Sequence, residues 1–355
     1  MSQRNFLTLL LLAKVLFCFI SWYIIGAMTQ LGDTQDYLSG RFLYRENWAS
    51  TAYIMSYFGK MFANLVGYNV FANFPLMLAG FWGCYIAVKN ISLTNMQWFG
   101  LLICLCLPST LMWTSIHSKE AVLNFLLGLF AYFLIKKLDG NSWDLRDKLI
   151  LILTLLLIAF FKPLYVPAVS WFLFYTLSYG AKVKKVMVTA FTTIALLSLF
   201  AFFIITFESE LTSYLQLFHR NFSVQGELTR VGNVWRTVDE FLLAALGGMV
   251  ISFIGPTLGE AAKHITMLPF FFEGVFSFVI LIFLIIQGSR HRKGIYVHTF
   301  FMLSGGFILF LLAQYPVGYF NPGSALRYKQ SFQPFLFIML FYFAYSVRNK
   351  AKYAS

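Results

Sequence analysis

Charged residues are scarce in this sequence. Only 12 % of its 355 residues are Asp, Glu, Lys or Arg, against roughly a quarter in a soluble globular chain. That shortage excludes the pair of water-soluble domains the length alone would allow. Cysteine is scarce too. Cys18, Cys84, Cys104 and Cys106 all fall in apolar runs, without metal-ligand spacing to histidine. A secreted disulfide framework and a Cys/His metal site are therefore excluded, and these cysteines read as small hydrophobes. No soluble domain, linker, low-complexity tract or internal repeat is visible, so residues 1–355 read as a single transmembrane domain.

What is present is apolar: 59 % of the residues are hydrophobic and 19 % aromatic, with 42 Phe. That suits lipid-facing surfaces and interfacial belts. A span needs about 20 apolar residues, and about ten are expected, near 6–28, 68–88, 96–112, 119–137, 147–161, 163–179, 186–207, 267–287, 295–315 and 331–347. The first is too long for a signal-peptide core and is expected to remain as an uncleaved span. Residues 241–256 are also apolar, but a full crossing there would reverse everything after it. With Gly247, Gly248, Gly255, Pro256 and Gly259 nearby, they are expected to form a re-entrant or interfacial helix, broken and buried in protein. The expected fold is all-α and polytopic.

The net charge of +13 follows topology, and nucleic acid is not expected as a partner. Fifteen bases, among them Lys136, Lys137, Arg290 and Arg348, lie on one side with three acids, Asp139, Asp144 and Asp147. By the positive-inside rule that side is cytoplasmic and holds both termini. Eleven bases and ten acids share the other side, including the two long polar segments 29–66 and 208–240. Basic residues there work against the rule, and paired bases and acids at a membrane surface suit anionic headgroups and proton transfer. Function is expected on that outer face.

Four stretches carry candidate chemistry. In GDTQDYLSGRFLYREN, Asp33 and Asp36 are three apart and would share a face of a helical turn. Either can act as a general base, hold a divalent cation, or simply cap a helix. In PSTLMWTSIHSKEAVLNF, Ser118 can cap the next helix, and His117, Lys119 and Glu120 crowd its entrance. A helix N-terminus with a lysine is a ready phosphate site, while Glu120 equally complements the dipole and Lys119 equally snorkels. In FFKPLY, Lys162 and Pro163 interrupt a long apolar run at an outer turn, where a lysine must be paired or sit among headgroups. In YPVGYFNPGSALRYKQSFQPFLF, Asn321, Pro322 and Gly323 make a turn, and Arg327 and Lys329 stand at the mouth of the last helix as phosphate contacts or interfacial anchors. The segment 208–240, read as irregular loop, adds His219 as a possible general base.

The acid after the first span, the P-S-x-x-x-W-x-S-x-x-x-K-E stretch (Pro108, Ser109, Trp113, Ser115, Lys119, Glu120), the basic-Pro turn and the N-x-G-x-x-x-R-Y segment (Asn321, Gly323, Arg327, Tyr328) resemble bacterial polytopic membrane glycosyltransferases of surface-polysaccharide assembly. These include O-antigen and exopolysaccharide repeat-unit polymerases. The resemblance implies a C-type glycosyltransferase-like fold in the bacterial inner membrane. It implies undecaprenyl-linked sugars as substrates at the periplasmic face, and a chain-length regulator or flippase as partner besides membrane lipids. It casts Asp33 or Asp36 as base, and Lys119, Lys162, Arg327 and Lys329 as contacts to the diphosphate. The D-x-x-D spacing departs from the D-x-D of metal-assisted members, so no cofactor is expected. A flippase or transporter of lipid-linked oligosaccharide, or an O-antigen ligase, is the alternative.

Overall fold

In a computed structural model the chain is described over residues 1–28, 31–44, 46–178, 191, 193–195, 198, 206–224, 230, 235–291 and 296–346. The described residues form helices joined by turns and short loops, with no strand among them. Among the described residues five helices are long and apolar enough to cross a membrane: Gln3–Met28, Val70–Val88, Lys119–Leu138, Ile265–Arg290 and Val297–Gly318. A sixth crossing results if Asn95–Leu105 and Pro108–Thr114, bent by 67° about Cys106 and Leu107, count as one. The chain is thus a multi-pass membrane protein. The expected span 186–207, the basic cluster at Lys182–Lys185 and the C-terminal bases lie largely or wholly outside the described residues.

The chain falls into two compact units, residues 1–169 with 330–355, and residues 170–329. In the first unit the helices are α1 (Gln3–Met28, with a π-helical turn at Ser21–Ile25), α2 (Thr34–Ser39), α3 (Thr51–Val66) and α4 (Phe74–Val88). There follow α5 (Asn95–Leu105), α6 (Pro108–Thr114), α7 (Lys119–Leu138), α8 (Leu145–Phe161) and α9 (Val166–Ser178), whose end enters the second unit. The core is where α4 and α7 touch backbone to backbone: a Cβ on Gly128 would collide with Gly83. Small residues permit this approach, the usual means of packing helices in lipid. The last described helix, Gln333–Tyr345, belongs to this unit and is buried from Gln333 through Ala344. Phe335 stacks on Phe130, with centroids 5.8 Å apart. The basic stretch after α7 is a helix hairpin: Asp144 and Asp147 form a reciprocal capping box on α8, and Lys136 pairs with Asp147 at 2.6 Å.

The second unit holds α10 (Glu208–Val224), α11 (Val238–Ile254), α12 (Leu258–Lys263), α13 (Leu268–His291), α14 (Tyr296–Gly318) and α15 (Pro322–Lys329), with α16 (Gln333–Tyr345) following back in the first. One expectation is corrected here. Segment 208–240 is not irregular at its start, because Glu208–Val224 is a helix. The apolar stretch 241–256 falls mostly within α11, and the break comes at Gly255, beside Pro256. α11 runs unbroken through Gly247 and Gly248, where the missing side chain at Gly248 admits the Tyr315 ring. It ends only at Gly255, whose φ of +97° suits glycine.

Candidate functional site

The first two sequence stretches converge in the first unit. Asp33 occupies the N-cap position of α2, but its carboxylate makes no capping bond. Its Oδ2 instead accepts a hydrogen bond from the Tyr37 hydroxyl at 3.0 Å, so the reading of Asp33 as a cap is corrected. Asp36 turns the other way, to Arg41 Nη1 at 3.1 Å. The Tyr37 ring lies under Lys119, with Nζ 5.9 Å from its centroid, and meets the His117 ring edge-on at 6.2 Å. An acid from the first polar segment and a base at the start of α7 thus share one tyrosine. The signal for this was present, since Asp33 and Tyr37 are four apart and on one helix face, but Tyr37 was not singled out.

α7 starts as its sequence dictates. Ser118 Oγ accepts from the Ala121 amide at 3.1 Å and donates to the Trp113 carbonyl at 2.6 Å. Glu120 stands in the first turn, fully buried, so it is not displayed to a soluble ligand. His117 is fully buried as well. Its Nε2 lies 2.9 Å from the Met55 carbonyl, its amide donates to Asn73 Oδ1 at 2.8 Å, and its carbonyl accepts from Thr34 Oγ1 at 3.2 Å. Burial pushes the imidazole down to about 4, only partly opposed by the bond to Met55, so it is neutral near pH 7 and Nε2 donates. His117 therefore ties α2, α3 and the turn before α4 to the start of α7, and the general acid–base roles of histidine do not suit it.

Sequence reasoning missed a chain of buried polar groups in the same unit. Lys14, in the middle of α1 and 2 % exposed, donates to the Thr114 carbonyl at 3.1 Å and to its Oγ1 at 2.6 Å. Thr114 Oγ1 donates in turn to the Thr110 carbonyl. Thr110 Oγ1 donates to Gln330 Oε1 at 2.7 Å, and Gln330 Nε2 to Ser109 Oγ at 2.6 Å. The contacts join residues 14, 114 and 330, so no local pattern discloses them. Lys162 ends α8, half-buried; its amide donates to the Ile158 carbonyl, and its carbonyl receives the Tyr165 amide of the following 3₁₀ turn.

The remaining candidates lie in the second unit. Asn321 Oδ1 accepts from the amides of Gly323 and Ser324 at 2.7 and 3.1 Å, which starts α15 as expected of Asn at a turn. Arg327 is half-buried, its guanidinium 5.5 Å from the Tyr328 centroid. Lys329 is different. It is fully buried, and Nζ donates to the Phe253 carbonyl at 3.1 Å. Desolvation lowers its pKa to about 8 against the raising influence of Glu273. The expectation of an exposed phosphate contact or interfacial anchor at Lys329 is corrected: this cation caps a helix end.

It does so in company. The last carbonyls of α11 have no intrahelical partner. Gln314 Nε2 donates to the Ser252 carbonyl at 2.7 Å and also to the Ala325 carbonyl of α15 at 2.8 Å. Arg230 donates to the Gly255 carbonyl at 2.6 Å, to the Gly318 carbonyl at 2.8 Å, and bidentately to Glu260 at 2.7 Å. Burial raises the Glu260 carboxyl, but the bonds from Arg230 and the Thr257 amide outweigh it and leave the pKa below the usual glutamate value. Two cations at the negative end of a helix are favourably placed. Arg230, from the polar segment 208–240, is the centre of this cap. His219 lies on α10, half-buried, edge-on to Phe320 at 5.5 Å.

Asp33, Asp36, His117, Lys119, Glu120 and Lys162 thus belong to one unit, and His219, Arg327 and Lys329 to the other. Among the described residues no three His, Cys, Asp or Glu side chains gather as a metal site requires. No protein-family model, curated protein or solved structure matches the chain.

Proposed function

We propose that this protein transfers or polymerises undecaprenyl-linked sugar units at the periplasmic face of a bacterial inner membrane, as a glycosyltransferase of surface-polysaccharide assembly. In this reading about ten spans, including shorter helices such as α8, α9 and α16, cross the bilayer, and both termini are cytoplasmic. One observation carries the proposal: the Asp33 carboxylate and the Lys119 ammonium meet on opposite parts of Tyr37, beside the N-terminus of a 20-residue helix.

That arrangement suits glycosyl transfer. The acceptor hydroxyl attacks the anomeric carbon of the lipid-linked sugar, and its proton passes to Asp33. The bond from that carbon to the diphosphate oxygen breaks, and the negative charge of the leaving lipid diphosphate is met by Lys119 and the α7 amides. Tyr37 holds the carboxylate by donating to Oδ2. Lys162 is a further diphosphate contact in this scheme, whereas Arg327 belongs to the other unit. Asp36 and Lys329 take no part, the first engaged by Arg41 and the second by Phe253. A flippase would line a path across both leaflets with charge. The cation in the middle of α1, Lys14, is instead tied to Thr114, which favours the transferase.

Deletion of the gene, followed by gel analysis of the surface glycan, tests the proposal. A product halted at one repeat is the result expected of a polymerase. A full ladder left on the carrier identifies a ligase, total loss points to an early transferase or a flippase, and an unchanged glycan overturns the reading.

A further inference from the structure

α3 carries a surface that a loop in water does not have. Its inner face, Tyr53, Met55, Ser56, Gly59 and Ala63, is buried. At Gly59 a Cβ would stand 2.7 Å from the Tyr37 carbonyl oxygen, and the Met55 carbonyl receives His117. The outer face is also apolar. Tyr57, Phe58, Met61, Leu65 and Val66 are all exposed, Leu65 by 75 %. Trp48, just before the helix and packed on Tyr53 and Tyr57, is 51 % exposed. Lys60 is the lone base between them, and its stem lies against the turn at Gly40.

The place of this face in the chain says what covers it. Three residues after α3 the chain enters the apolar stretch Val70–Val88. Phe62 and Ala63 belong to the same hydrophobic cluster as Trp22 near the end of α1. Tyr68 packs edge-on against Trp22 at 5.7 Å, and Phe71 against Phe19 at 6.1 Å. α3 is therefore packed beside the end of α1 and the start of α4, two spans long and apolar enough to cross a membrane. A helix of this length measures about 24 Å. Standing up from the bilayer, it would hold Trp48, Tyr57 and Phe58 in water along that whole distance.

We infer that α3 lies flat in the headgroup–acyl boundary of the membrane, with Tyr57, Phe58, Met61 and Leu65 among the lipid chains and Lys60 snorkelling to the headgroups. Apolar area drives such binding, and aromatic residues are favoured at that depth. A single base makes the docking depend little on anionic lipid. The consequence is a fixed height: through Gly59 and Met55 the membrane-borne helix holds Tyr37 and His117, and with them Asp33, at the bilayer surface. The inference stands whether or not the chain transfers sugar.

Nitroxide scanning in proteoliposomes of the full chain tests it. Tyr57→Cys, Met61→Cys and Leu65→Cys are spin-labelled, with Val279→Cys in α13 as the lipid reference and Asn47→Cys as the water reference; Val279 and Asn47 are both exposed. Signal from the native cysteines is subtracted using the unsubstituted chain. The ratio of collisions with oxygen to collisions with a polar nickel chelate is expected to shift towards the Val279 value at all three positions. A ratio matching Asn47 puts the helix in water. Poor collision with both reagents puts protein, such as a second copy, over the face. Either result overturns the inference.

Discussion

The node around Tyr37 in the first unit and the cap on α11 in the second are both built from charged side chains, yet they use charge oppositely. At the cap, Arg230 and Lys329 are buried and their donors are taken by the carbonyls of Gly255, Gly318 and Phe253 and by Glu260. At the node, Asp33 and Lys119 are half-buried, and the fully buried member, His117, is kept neutral. A cation whose hydrogen bonds complete a helix end is needed by the fold. An acid and a base that share a tyrosine while only half-buried suit the chemistry proposed. By this criterion Lys329 moves from the reactive set to the structural one, and Asp33 and Lys119 stay.

The sharpest way to break the comparison is at Arg230. In Arg230→Ala the Glu260 carboxylate and two backbone carbonyls lose their buried partner. Removal of one member of such a pair costs about 3–5 kcal/mol, so the thermal midpoint in detergent should drop steeply. Little change would mean the cap is not what holds the second unit. Lys329→Met removes one donor and leaves the Phe253 carbonyl unsatisfied, at roughly 1–3 kcal/mol. Stability should fall while transfer per folded molecule persists; full stability with lost transfer would return Lys329 to the site.

A smaller effect concerns pH. The His117 pKa is lowered by folding, from 6.5 to about 4, so protons bind the unfolded chain more readily. Its contribution is complete above about 6.5 and is lost as pH falls towards about 4. His117→Gln should flatten that part of the stability profile, as followed by denaturation in detergent at a series of pH values. A variant profile as steep as the parent's would assign the slope to other groups. Asp36→Asn should have the least consequence, since an exposed ion pair such as that with Arg41 contributes about 0–1 kcal/mol. A large loss of glycan from this variant would exchange the roles given to the two aspartates.

Much of the scaffold was legible because its causes are local. Apolar runs located Val70–Val88, Lys119–Leu138 and the two long helices of the second unit, but the 67° bend between α5 and α6 falls inside the expected span 96–112. Ser118 was recognisable as a helix start from residue type alone, whereas Asn321, Pro322 and Gly323, read as a turn, begin the helix Pro322–Lys329. The number of crossings was less legible, because an apolar run does not report helix length. Leu145–Phe161 and Val166–Ser178 are apolar yet have only 17 and 13 residues. The site was half legible. Asp33, His117 and Lys119 were picked by chemistry, but what separates them is burial and distant partners. Met55 for His117, Phe253 for Lys329 and Thr114 for Lys14 come from remote parts of the chain, and no periodicity encodes them.

The central claim is that Asp33 is a base at an outer site for lipid-linked sugar. Its most direct test is the purified protein in vesicles with an undecaprenyl-linked repeat unit, comparing the parent chain with Asp33→Asn at equal folded amounts. Asparagine keeps the shape and loses the basicity, so the account predicts elongated lipid-linked glycan from the parent and a rate lower by about a hundredfold or more from the variant. Equal rates from the two, or no product from either, would contradict it.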